Sequence, residues 1–199
     1  MKIESTTFTH ADLEKFLDEM LDHDRNLLAD RLEAASARLA EMGPRIKAGG
    51  GESDGRARAG RRGPRELTAQ PLSSWGKGRS SEWTQHELLA HIAVLSKFYG
   101  VLVHKISSGQ ISELDLLENV NLRDVVGAQM AQIEPAELLR MALADQARTL
   151  KLLRTAEASS LRRQAKQENG ALMSAVEVAR LPLINHLEMH VDQLERSLA

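Results

Sequence analysis

The chain has 199 residues, 42% of them hydrophobic and 27% charged, and a net charge of −2, which suits a single domain with a buried core. Aromatic residues make up only 3%, which disfavours β-sandwiches and barrels, and the near-neutral balance disfavours a protein built around a basic nucleic-acid face. There are no cysteines, which excludes disulfides, thiolate ligands and a cysteine nucleophile and fits a cytoplasmic location.

The first twenty residues carry no unbroken apolar core of the signal-peptide kind, and no stretch reaches the ~18 apolar residues of a membrane span. Thr9 is a suitable N-cap, and a long helix is predicted from there to about Met42. Its apolar positions are Leu13, Phe16, Leu17, Met20, Leu21, Leu27, Leu28, Leu32, Ala35 and Leu39, which recur at helical period. Gly43-Pro44 should stop it. A Gly/Arg-rich stretch follows, and residues 44–80 are predicted to be a partly disordered loop insertion. Residues 44–65 hold seven bases and two acids, so the rest of the chain is acidic. One reading of this loop is an anion-binding arm; the plainer reading is a tolerated insertion. Gly49-Gly50-Gly51 is not a phosphate loop, because no Gly-Lys-Ser/Thr follows it.

Thr84-Gln-His-Glu87 is a capping box that opens a second helix, with Trp83 placed to pack on Leu88. The helix should run to about Ser107 and end near Gly109. Its inward set is Leu88, His91, Ile92, Leu95, Phe98, Tyr99, Leu102 and Ile106, so His91 lies on the core stripe while His104 faces away. Residues 110–133 suggest one or two short helices. Pro135 fits the first position of a third long helix, to about Ala156, with Leu138, Leu139, Ala142, Leu143, Leu150 and Leu153 turned inward. Residues 158–170 read as a polar connection. Ser174-Ala-Val-Glu177 is a second capping box and opens the last helix. Pro182 inside it predicts a kink or restart near Arg180 to Leu183. No strand pattern rises above the helical ones. Met20, Met130, Met141, Met173 and Met189 read as core fillers, and His23 as part of a solvated face.

The last helix also carries His186-Leu-Glu-Met-His190. Histidines four apart point the same way, and here they fall on or beside the stripe of Leu183, Leu187, Val191, Leu194 and Leu198. Buried imidazoles need partners for their ring nitrogens, and a shared metal ion is one way to supply them. Four amphipathic helices with a long connection predict an all-α, four-helix bundle, in which metal sites form from inward side chains on facing helices.

The pairing of Trp83-Thr84 and Leu88-Leu-Ala-His91-Ile92 on one helix with His186-x-x-x-His190 on the last resembles the DinB/YfiT-like metal-binding bundle family, over residues 9–42 and 80–199. The resemblance implies one DinB-like domain spanning residues 1–199, and a divalent metal, zinc or nickel, held by His91, His186 and His190. It also implies partners for such a site: a small-molecule substrate, a low-molecular-weight thiol cosubstrate (bacillithiol, mycothiol or glutathione in known members) and a second copy of the chain in a homodimer, with no nucleic acid and no membrane. The sequence departs from the family in the Gly/Arg insertion, in Pro182 and in His86 near the start of the second helix.

Three imidazoles leave a position open on a tetrahedral metal, where a bound water or thiol is acidified. With no cysteine in the chain, any thiol must come from a cosubstrate. The function expected is therefore a metal-dependent transferase or hydrolase on a small electrophile, most simply a thiol S-transferase. The alternative is a non-catalytic or metal-free bundle that binds or sequesters a small molecule in stress response. Glu87 has two readings, as a partner for a ligating histidine and as the acid of its own capping box. Bonds of about 2.0–2.1 Å to one ion require three ring nitrogens within about 3–3.5 Å of one another.

Overall fold

The computed structural model describes residues 10–49, 83–114, 129, 130 and 132–199. Helix α1 spans His10–Glu41. Of its apolar residues, Leu21, Leu28, Leu32, Ala35 and Leu39 are buried, at steps of seven, four, three and four that keep them on one face. The predicted stripe was too wide: Phe16, Leu17, Met20 and Leu27 are about half exposed. Periodicity finds the face, but it cannot say how broad a strip the neighbouring helices cover.

Gly43-Pro44 does not end helical structure. A short helix, α2 (Gly43–Gly49), starts there at once and buries Ile46. Proline is tolerated in a first turn, where its missing N–H would have no helical partner anyway. The first six residues of the predicted 44–80 insertion are thus helical, and residues 50–82 lie outside the described residues.

Helix α3 (Gln85–Ser107) opens on the predicted capping box. Thr84 Oγ1 accepts from the Glu87 N–H, and Glu87 Oε2 accepts from the Thr84 N–H at 2.9 Å. The helix closes before Gly109, whose φ of 74° suits glycine. It is the one described helix with the length and hydropathy to cross a membrane, and most of that apolar stretch is packed inside the protein. Helix α4 (Pro135–Thr155) has Pro135 in its first turn and buries Leu138, Leu139, Ala142 and Leu153.

Cross-helix contacts fix the directions. Arg154 pairs with Asp30 and Glu33, and Ser36 donates to Gln146 at 2.7 Å, so α1 and α4 are antiparallel. Gln146 donates in turn to Ser96 at 3.0 Å, and Gly100 lies against Thr149, so α3 and α4 run the same way. A Cβ on Gly100 would stand 2.4 Å from Thr149 Oγ1; only glycine allows this approach.

Two predicted features change between α4 and the C-terminus. The polar connection at 158–170 contains a one-turn helix, α5 (Ala158–Leu161), and a strand, β2 (Gln164–Gln167). Strand β2 pairs antiparallel with β3 (Leu172–Ser174) and parallel with β1 (Glu113–Leu114), giving a three-stranded sheet in the order β1-β2-β3. The strands are too short and too polar to show alternation; Ala165 and Leu114 carry most of their burial. The short helices expected at 110–133 fall largely outside the described residues.

Ser174 then caps α6 (Ala175–Val178), which runs into a wide π-type turn at Ala179–Asn185 and on into α7 (His186–Leu198). Pro182 sits in the wide turn. It has no N–H to give the carbonyl four residues back, and its ring crowds that turn, so the backbone widens where a kink was predicted. Arg31, Arg38 and Arg45, spaced by seven, meet Glu188, the Asp192/Glu195 pair and the Leu198 carbonyl in that order. Helix α7 is therefore parallel to α1. Gln85 donates to the Ser197 carbonyl at 2.7 Å, which makes α7 antiparallel to α3. The described residues are mostly helical, with a core of leucine, isoleucine, valine and alanine from α1, α3, α4 and α7.

The Ser174 cap yields a pH-dependent prediction. The Glu177 carboxyl is held below its ordinary pKa, first by the Ser174 backbone N–H and then by the Ser174 hydroxyl. A depressed folded pKa stabilises the protein above the ordinary carboxylate range, and that contribution is lost as pH falls through the folded value. An NMR titration of Glu177 should show a midpoint below that of an exposed glutamate. In Ser174→Ala the midpoint should rise part of the way, because the backbone donor remains, and stability should drop by about 1 kcal/mol. An unshifted Glu177 midpoint in the parent protein would contradict this.

Candidate metal centre

The antiparallel contact between α3 and α7 sets the site. The Thr84 cap fixes where α3 starts, and His91 follows two turns in, one turn past buried Leu88 and one turn before buried Leu95. On α7, His190 lies among buried Leu187, Val191 and Leu194, and His186 stands one turn earlier, half-buried at the edge of the same face. The structure brings these three rings together. The ring centroids lie 4.6 Å apart for His91 and His190, 4.6 Å for His186 and His190, and 5.4 Å for His91 and His186.

One ring nitrogen from each histidine lies within 4.8 Å of the others. That is wider than the ~3–3.5 Å expected for ligands on one ion. Imidazoles bound tetrahedrally at about 2.0–2.1 Å place their ring centres about 5 Å apart, and the observed centroid distances bracket that figure.

His190 carries the strongest sign of an intended ligand. It is only 2% exposed, and its Nε2 is buried with no hydrogen-bond partner among the described residues. A buried polar nitrogen without a partner costs about 1–3 kcal/mol, which an ion accepting that lone pair would offset. Nδ1 lies 3.2 Å from Gln193 Oε1, so a proton on Nδ1 donates to the amide oxygen and leaves Nε2 free to donate its electron pair. Burial pushes the His190 pKa below its ordinary value, against a smaller upward pull from Gln193. Burial therefore favours the neutral ring, the form a metal needs. Nε2 of His91 is buried as well.

Trp83 has a place that periodicity did not supply. Its ring stacks on His190 at 5.7 Å and 19°, and meets His91 at 4.8 Å and 57°. It was expected to pack against Leu88; it is observed to wall two of the three imidazoles. Trp83 precedes the helix, so no helical spacing relates it to His190. Gln193, by contrast, follows His190 by three residues, a helical spacing that could have named it.

The other sequence candidates fall elsewhere. Glu87 spends its carboxylate on Thr84, whose N–H and hydroxyl both bond Oε2 at 2.9 Å; of its two readings, capping is the one observed, and Gln193 takes the part expected of it at a histidine. His86 Nε2 lies 2.7 Å from the Ile133 carbonyl oxygen, which ties the chain before α4 to the start of α3. His23 and His104 are exposed. Met20 and Met189 are half exposed rather than core fillers, whereas Met130 is buried. Residues 50–65 of the basic segment lie outside the described residues. Among the described residues, His91, His186 and His190 are the one set of three metal-binding side chains gathered this closely.

The donor set fits a divalent ion of intermediate softness: three imidazoles, no thiolate, and a buried His190 nitrogen lacking a partner among the described residues. If His190 is there to bind an ion rather than to hold the core together, chelator-treated protein should tolerate its loss. His190→Leu should leave thermal stability unchanged or raise it by about 1 kcal/mol, since an unsatisfied polar nitrogen is replaced by carbon. A loss of more than about 2 kcal/mol would assign the ring a structural role. Comparison of the chain with protein-family models, with curated proteins and with solved structures finds no match.

Proposed function

We propose that the chain is a DinB/YfiT-like four-helix bundle that holds one divalent ion, zinc or nickel, on His91, His186 and His190, and that it transfers a low-molecular-weight thiol to a small electrophile. The observation that carries this reading is the gathering of three imidazoles from two antiparallel helices around a buried His190 nitrogen that has no hydrogen-bond partner among the described residues. The directions of α1, α3, α4 and α7 support the bundle.

An ion bound by three histidines supplies a Lewis-acidic open position, where a thiol loses its proton at neutral pH. The protein's own contribution is to hold that position open and partly dry. Gln193 Oε1, 3.2 Å from His190 Nδ1, would accept a proton held there and leave Nε2 for the ion. Trp83 covers one side of the site with an aromatic ring. His91 and His186 are half-buried beside it. In the transfer, the cosubstrate's sulfur forms the new S–C bond, the bond from carbon to the leaving group breaks with its electron pair, and the thiol proton passes to solvent or to the leaving group. The absence of cysteine means that the nucleophilic sulfur is external.

Metal titration of chelator-stripped protein tests the reading. The parent chain should take up one equivalent of Zn(II) or Ni(II), and His91→Ala and His186→Ala should each weaken uptake by at least about a hundredfold. Turnover of a thiol-reactive electrophile with glutathione, bacillithiol or mycothiol should appear only in the loaded protein. Equal, negligible uptake by the parent chain and by a variant with all three histidines changed to alanine would end it. Metal uptake without thiol transfer would favour a small-molecule binding bundle.

A further inference from the structure

The two α7 ligands begin directly after the wide turn that absorbs Pro182. A π-type turn rotates the following helix differently from an α-helical one. Contacts from neighbouring elements can hold that rotation, and Arg31 of α1 is placed to do so. Its Nε donates to Glu188 Oε1 at 2.9 Å, and its Nη2 donates both to Glu188 Oε2 and to Asn185 Oδ1, the latter at 2.7 Å. Asn185 is the residue before His186, and Glu188 lies midway between His186 and His190. One planar guanidinium therefore grips the helix on both sides of the first ligand. Arg31 and Glu188 are each about one-third exposed, at 33% and 30%, so the pair is partly sheltered from water.

We infer that Arg31 is a positioning residue for the metal centre: through Glu188 and Asn185 it locks the rotation of α7 so that His186 and His190 face His91. The inference rests on the metal reading above. Arg38 provides an internal control. It pairs with Asp192 and Glu195 on the same two helices, two and five residues past His190, and is as exposed as a surface pair. The two arginines join the same helices, but only Arg31 holds the residues that flank the first ligand.

The test is Co(II) or Zn(II) affinity, with the Co(II) d–d spectrum as a reporter of ligand geometry, in Arg31→Met, Glu188→Gln and Arg38→Met. Circular dichroism and thermal melting establish that each variant is folded. Arg31→Met and Glu188→Gln should each weaken metal binding about tenfold or more and alter the Co(II) spectrum. Arg38→Met should bind within about twofold of the parent chain with an unchanged spectrum, whatever it does to the melting temperature. Glu188→Gln keeps the size and shape of the side chain, so it reports even where Arg31→Met fails to fold. Parent-like affinity in Glu188→Gln, or an equal loss in Arg38→Met, would overturn the role of Arg31 while leaving the metal centre standing. A parent chain that binds no metal would overturn both.

Discussion

The site depends on one packing relation, the antiparallel contact between α3 and α7. It sets His91 from one helix against His186 and His190 from the other, with ring centres 4.6–5.4 Å apart. Imidazoles at this distance repel one another when protonated. Burial pushes the His190 pKa below its ordinary value, and its buried Nε2 has no hydrogen-bond partner among the described residues. A shared cation would give that nitrogen a partner.

The rest of the fold serves that contact in identifiable ways. Two capping boxes, at Thr84 and Ser174, fix where the helices leading to the ligands begin. Gly100 lets α3 and α4 approach closely, and the Ser36–Gln146–Ser96 chain of hydrogen bonds ties α1, α4 and α3 at one level. Arg31, Arg38 and Arg45 meet α7 from outside the core in chain order. Exposed ion pairs of this kind add little stability. Pro182 widens the turn between α6 and α7 without ending the helix.

Much of this is legible in the sequence where the signal is local. The caps at Thr84 and Ser174, the first turn at Pro135, the disturbance at Pro182 and the inward aim of His91 all follow from spacing within one helix. What the residues alone do not show is long-range or weakly patterned. The parallel pairing of Glu113–Leu114 with Lys166–Gln167 joins segments some fifty residues apart, and strands of two to four residues are too short to alternate visibly. The contact of Trp83 with His190 crosses between helices and begins outside one of them. Four of the ten expected apolar positions of α1, Phe16, Leu17, Met20 and Leu27, are about half exposed, because the width of a buried face depends on which helices cover it. The restart of the helix after Gly43 has the same cause: Ile46 finds a core to enter, and local sequence does not report that.

X-ray absorption at the metal edge of Zn(II)-loaded protein tests the central claim most directly. The account predicts three imidazole nitrogens at about 2.0–2.1 Å, a fourth light-atom position that an added thiol replaces with sulfur at about 2.3 Å, and the loss of one imidazole in His91→Ala. A shell of oxygen ligands without the outer scattering of imidazole rings, unchanged in His91→Ala, would contradict it.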